Sequence, residues 1–203
     1  SVDMAISRIA AHHISVQPET DRVRIIGAHV RPYGLARLTP TPVRTLPWLI
    51  HPAELFGPTA HAFRQKMEGC SDPEQMFDEV EKTFLDAVLV RDLSLITRAV
   101  ERIEHCAGNI SLAALSEQLA VSDRTLRNHF YDQVGCAPKE YIRLVKLKQA
   151  ARQMKHSEDS LTEIAYDNAY FDQAHFIHEV KQVTGRSPNA LRKEMPRFRF
   201  LQF

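Results

Sequence analysis

The chain has 203 residues, a formal net charge of +1, 44% hydrophobic residues and 25% charged ones. A disordered tail, a collagen and a membrane protein are excluded, because no apolar run approaches the ~20 residues that cross a bilayer. The length suits one domain with a smaller companion.

From the N-terminus, the segment SVDMAISRIAAHH lacks the basic start and apolar core of a signal peptide, and Ser1 reads as a truncation point. Ile14 to Leu38 contains two β-leaning runs separated by Pro-Glu-Thr-Asp and closed by Pro32 and Gly34, so strands are expected. Residues 39–58 hold five of the eleven prolines, Pro40, Pro42, Pro47, Pro52 and Pro58, and these deny donors to any regular element. Asp72, Pro73 and Glu74 start a helix that the spacing of Phe77, Val80, Phe84 and Val88 carries to about Val90. Its apolar residues, Met76 and Leu85 included, are expected in a core, with a dimer helix as the functional alternative. A second helix runs from about Leu93 to Cys106 and stops at Gly108 and Asn109.

Beyond Gly108 the chain repeats. Ser111, Leu112, Leu115 and Ala120 recur 49 positions later as Ser160, Leu161, Ile164 and Ala169. Leu126, Phe130, Gly135 and Pro138 recur 50 later as Phe176, Val180, Gly185 and Pro188, so the second copy has one extra residue in its turn. Each copy reads as helix, turn, helix. Ser111 and Ser122 cap the helices of the first, while the Ser160/Glu163 capping box and Asp172 cap those of the second. The expected organisation is a β-rich piece over 1–57, a helical connector over 58–92, a double helix-turn-helix domain over 93–197 and a tail over 198–203. The two units span 111–135 and 160–185, joined by a linker helix over 138–155. The fold class is mainly α.

Such a unit presents the exposed side of its second helix to the DNA major groove. A linker helix of ~27 Å plus the widths of its neighbours matches the ~34 Å between successive major grooves. The first helix offers Arg124, Thr125, Arg127, Asn128 and Tyr131 outward, where Arg suits guanine and Asn suits adenine. The second offers Gln173, Ala174, Ile177, His178 and Lys181, with Ala174 suited to a thymine methyl. Ser122, Arg143, Lys146, Lys148 and Lys181 are candidates for phosphate. Residues 1–108 carry 12 Lys and Arg against 14 acids, and residues 109–203 carry 14 against 11, so the basic excess falls with these motifs.

The segment from about Leu93 to Arg197 resembles the AraC/XylS transcription regulators, through SLAALSEQLAVSDRTLRNHF, VGCAPKEYIRLVKLKQA, SLTEIAYDNAYFDQAHF and TGRSPNALRK. The resemblance implies a seven-helix, two-unit domain and puts base contact on Arg124, Arg127 and Asn128, and on Gln173, Ala174 and His178. The chain departs from the family at Ala169-Tyr170, where Gly-Phe is usual, at His178 and Val180, where Arg and Phe are, and at Asn128, where Arg is frequent. Upstream, IIGAHVRPYG, the Pro-rich loop and HPAELFG resemble the end of a cupin-like sensor and its connector. The resemblance further implies promoter DNA and RNA polymerase as partners and an activator role, with any small-molecule inducer unknown; the three scattered cysteines point to a reducing, cytoplasmic compartment, and the apolar residues of the connector helix leave a homodimer through it as a further option.

Blander readings stand beside these. Each exposed Arg or Asn could simply solvate a helix, His178 could be a surface residue and His175 structural. The other reading of the whole is a protein-interaction module with weak, nonspecific DNA binding. No nucleophile and base, acid pair or phosphate loop stands at a meaningful spacing, so no enzyme is expected. Cys70, Cys106 and Cys136 are too scattered for a disulfide framework or zinc site, and the histidines show no H-x-H pair, so neither metal nor cofactor is expected. The final RFRFLQF alternates like a strand and reads either as a frayed tail or as a strand on an open sheet edge.

Overall fold

Helix signals dominate the sequence, and helices dominate the computed structural model, which describes residues 6–10 and 29–194. Two strands, β1 (Ile6–Ser7) and β2 (Leu49–Ile50), pair antiparallel with Ile6 opposite Ile50. Among the described residues there are ten helices: α1 (Pro52–Phe56), α2 (Thr59–Gly69), α3 (Pro73–Asp86), α4 (Ser94–His105), α5 (Leu112–Gln118), α6 (Asp123–Gln133), α7 (Pro138–His156), α8 (Leu161–Asp167), α9 (Gln173–Thr184) and α10 (Pro188–Glu194). The mainly α expectation is borne out. No helix among the described residues is long and apolar enough to cross a membrane.

The described residues divide into two compact units. Of the described residues, the first comprises 6–9, 29–97 and 128–135, and the second 10, 98–127 and 136–194, so boundaries fall inside α4 and α6.

In the first unit the front of the chain differs from its reading. Much of the expected β region lies outside the described residues. What is described of it turns at Tyr33 and coils once as a 3-10 turn over Leu35–Arg37. The Pro-rich loop is more regular than its prolines suggest, with a second 3-10 turn at Val43–Thr45, strand β2 and helix α1. Proline is tolerated in each because it occupies a position whose N–H is not needed: Pro52 opens α1, whose first turn His51 and Glu54 close as a capping box. The loop is held by Arg91, whose guanidinium donates to the carbonyls of Ala36 and Thr39 at 3.0 Å each. Arg8 donates to the carbonyl of Gly135 at 3.0 Å, and Arg44 pairs with Asp132 at 3.4 Å, so the far end of α6 belongs to this unit.

Asp72 caps α3 as its sequence indicates, its side chain accepting from the Glu74 N–H. The helix ends at Asp86, short of Val90. Met76 packs with Phe63 and Met67 of α2, and the Phe84 ring meets Phe56 edge-on at 5.2 Å. The expectation that all its apolar residues are core is corrected: Phe77, Leu85 and Val88 are exposed by 52%, 65% and 41%. The partner helix covers only the Met76 and Val80 side, and apolar spacing cannot tell which of two neighbouring stripes gains a partner.

The repeat is visible in the backbone. Helices α5 and α8 begin and end 49 positions apart, and each ends on an alanine in the left-handed region, Ala120 with φ +55° and Ala169 with φ +52°. Gly135 and Gly185 then stop α6 and α9 with φ +89° and +70°. The inward residues are fully enclosed: Leu126 and Phe130 at 0% and Val134 at 1%, Phe176 and Val180 at 0%. The Ser111, Ser122, Ser160 and Asp172 side chains each accept a backbone N–H at 2.7–3.2 Å.

An L-residue in the left-handed region costs ~1–2 kcal/mol, more than glycine loses in chain entropy. Ala169→Gly should therefore raise stability by about 0.5–1 kcal/mol. The buried Tyr170 hydroxyl has no hydrogen-bond partner among the described residues. Tyr170→Phe should consequently be neutral or stabilising by up to about 1 kcal/mol. Thermal melting of the two variants checks both, and a lower midpoint in either contradicts its argument.

Candidate nucleic-acid interface

Burial of Leu126, Phe130 and Val134 on one side of α6 leaves residues 124, 127 and 128 on the other, because i, i+3 and i+4 share a helix face. Arg124, Arg127 and Asn128 are all exposed there, while Thr125 and Tyr131 are half-buried. Arg127 lies 3.9 Å from Asp123 one turn back, an exposed pair too weak to withhold the guanidinium from another acceptor. Exposed Ser122 serves the helix start, taking the Thr125 N–H at 3.1 Å and lying 2.9 Å from its hydroxyl. One hydroxyl thus orders the first turn of α6.

On α9, burial of Phe176 and Val180 turns Gln173, Ala174, His178 and Lys181 to solvent, with Ile177 half-buried. Thr162 on α8 donates its hydroxyl to Gln173 Oε1 at 2.9 Å. The amide is thereby oriented with its NH2 still available to an acceptor such as adenine N7. Thr162 was not singled out by the sequence, since only packing brings it to Gln173, eleven positions on. The ring of exposed His175 meets Tyr170 edge-on at 5.6 Å, and its Nε2 lies 3.7 Å from Glu179.

The linker-helix cations have work inside the second unit. Arg143 donates to Gln182 Oε1 of α9 at 3.1 Å. Lys146 donates to the Ala169 carbonyl at 3.3 Å and stands 5.6 Å from the Tyr170 ring centre. These bonds tie α7 to the turn and reading helix of the second copy. Burial, with Glu179 nearby, pushes the Tyr170 phenol far above its ordinary range, so it stays neutral beside Lys146. Lys148 is half-buried on α7, and Lys181 is exposed on α9.

Carboxylates stabilise the second copy. Hydrogen bonds from the backbone and side chain of Ser160 hold Glu163 below the usual carboxylate range, and those from Ser157 and Gln153 do the same for Asp159. A lowered folded pKa contributes stability above the unfolded value and loses it as pH falls through the folded one. The second copy should accordingly lose stability below about pH 4, with a smaller loss in Glu163→Gln, as read by melting across an acid series. An equal acid loss in the variant would remove Glu163 from that role.

No group of three His, Cys, Asp or Glu side chains that could hold a metal occurs among the described residues. The candidate surface consists of two exposed helix faces, one carrying two guanidiniums and an amide, the other mixed in character.

Residues 115–194 match the family model of a helix-turn-helix domain. The chain is similar to the HTH-type transcriptional activator RhaS of Escherichia coli strain SE11, 32% identical over 90 residues, or 44% of this chain and 32% of that protein. It is similarly close to RhaS of Escherichia fergusonii, 31% identical over 90 residues and the same shares of each chain. It thus spans about a third of the length of these relatives. Among solved structures it is similar to the C-terminal domain of AraT, a response regulator from Geobacillus stearothermophilus, with 25% identity and a TM-score of 0.47 over 51% of this chain and 88% of that one. ToxT from Vibrio cholerae O395 matches with 15% identity and a TM-score of 0.44, over 66% of this chain and 46% of that one.

Proposed function

We propose, on the premise that residues 115–194 are an AraC-type helix-turn-helix domain, that this chain binds promoter DNA sequence-specifically and regulates transcription in the cytoplasm. The observation that carries the reading is the α6 face. Arg124, Arg127 and Asn128 stand together in solvent on the second helix of a helix-turn-helix whose opposite side is fully buried. Arg127 and Arg124 read guanine edges, Asn128 reads adenine, and Gln173, Ala174, Ile177 and His178 read the second groove. Helix α7, 19 residues or ~28 Å long, supplies most of the ~34 Å that two successive major grooves require.

Phosphate contact falls on Ser122, Lys148 and Lys181, and on Arg143 and Lys146 to the extent that they can serve the domain and the DNA together. The relatives named as activators support an activator role, with RNA polymerase as the partner. Exposed Phe77 and Leu85 on α3, with Val88 just beyond its end, favour a homodimer through this helix, since contiguous exposed apolar groups mark interaction surfaces. Residues 1–57 and 58–92 are then the end of a sensor and its connector, and 93–197 the DNA-binding domain.

Selection of bound duplexes from a random library tests the reading. A defined site with two half-sites about one helical turn apart is expected, bound at least ~10³-fold better than random duplex at the same salt. A uniformly salt-dependent affinity with no preferred sequence would favour a protein-interaction module instead.

A further inference from the structure

The duplication sets the two reading helices against each other residue by residue. At the offset of 50, Arg124 corresponds to Ala174, Arg127 to Ile177 and Asn128 to His178, while Phe171 is the extra residue of the second turn: Val121 corresponds to Tyr170, their N–H groups returning to the Ser116 and Ala165 carbonyls. Two guanidinium positions of the first copy are thus apolar in the second. Phe171 adds to this: it immediately precedes Asp172, the capping residue of α9, has no counterpart in the first copy and is 91% exposed. Ala174 is exposed and Ile177 half-buried on one face of the helix, three positions apart, and Phe171 lies two residues before its start. The N-terminal end of a reading helix is the part that approaches base edges.

The patch is flanked by groups suited to DNA. Exposed Lys181 and His178 continue the helix face, and Gln173, oriented by Thr162, keeps its NH2 for adenine N7. The major groove offers one apolar group, the C5-methyl of thymine, and Ala and Phe are side chains that meet it. We infer that Phe171, Ala174 and Ile177 form a reader of thymine methyl groups, so that the second unit selects an A·T-rich half-site by apolar contact while the first selects its half-site by hydrogen bonds. This rests on the DNA-binding reading above and assigns Phe171 as a specificity-determining residue.

Thymine and uracil differ in duplex DNA only by that methyl, which makes the substitution a direct test. In the selected site, each thymine is replaced by deoxyuridine, one half-site at a time, and binding of the full chain is measured by titration. Burying one methyl is worth about fourfold in affinity, so uracil in the second half-site should weaken binding about fourfold per methyl read. Uracil in the first half-site should change little. Phe171→Ser and Ile177→Asn should bring the thymine-to-uracil ratio in the second half-site towards one, with melting midpoints near the parent's showing that the fold is kept. Equal affinity for thymine and uracil duplexes overturns the inference alone. So does a thymine-to-uracil ratio that neither variant changes. A library that returns no preferred sequence overturns the DNA-binding reading, and this inference with it.

Discussion

Gly108→Ala should destabilise the second unit by about 2–5 kcal/mol, the largest loss expected from adding a single methyl group to this chain. Gly108 ends α4 with φ +77°, and its N–H returns to the Ile103 carbonyl at 2.9 Å. A Cβ there would meet backbone: it would stand 2.7 Å from both the Ile142 carbonyl oxygen and the Lys146 nitrogen of α7. Left-handed strain contributes ~1–2 kcal/mol and overpacking another ~1–3. Relief would have to come from separating α4 from α7, because atoms of a helix backbone cannot rotate aside as a side-chain end can. That separation would also strain the 2.8 Å bond from the Tyr141 hydroxyl to Glu104 Oε1. Denaturant unfolding measures the loss. As a contrast, Gly69 has no heavy atom within 4 Å of an added Cβ, so Gly69→Ala should be tolerated. A Gly108→Ala midpoint within experimental error of the parent would refute the close approach.

Arg127→Ala should cost ~1–3 kcal/mol of affinity for the preferred site, roughly 5- to 150-fold, and relax the base preference at one position. Arg127 is half exposed, and its partner Asp123 is an exposed carboxylate 3.9 Å away. Folding therefore gains little from the pair, and stability should stay within about 0.5 kcal/mol of the parent. Lys181→Ala is the informative companion, because the proposed reading gives its exposed ammonium on α9 a phosphate contact. It should weaken all duplexes alike and lower the salt slope by about 1. The two substitutions thus separate reading from anchoring. If Arg127→Ala weakened specific and random duplexes by the same factor, Arg127 would be an anchor too.

Lys146 shows why local sequence could place a residue and still leave its task open. Its position on a linker helix over 138–155 is legible from the sequence. Its exposure to phosphate was inferred from charge alone. The fold brings the Ala169 carbonyl and the Tyr170 ring to it from more than twenty positions away. Arg143 follows the same course, meeting Gln182 across 39 positions. In both, a long cationic side chain serves the packing of the second copy, a use that sequence distance conceals.

What the sequence determined by itself was local in origin. Caps at Asp72, Ser111, Ser122, Ser160 and Asp172 act within three residues, and the spacing of Leu126, Phe130 and Val134 needs only the geometry of one helix turn, so these elements could be read before any packing was known. The repeat was legible for the same reason, since two copies carry the same local signals at offsets of 49 and 50. Tertiary structure alone decided whatever depends on a distant partner. It set Phe77, Leu85 and Val88 in solvent while Met76 found Phe63 and Met67. It ordered a proline-rich loop through Arg91, and paired Leu49–Ile50 with Ile6–Ser7 across more than forty residues. It also held Ala120 and Ala169 in a backbone conformation that alanine does not choose, because the enclosed Leu126, Phe130, Phe176 and Val180 outweigh the ~1–2 kcal/mol that each turn costs.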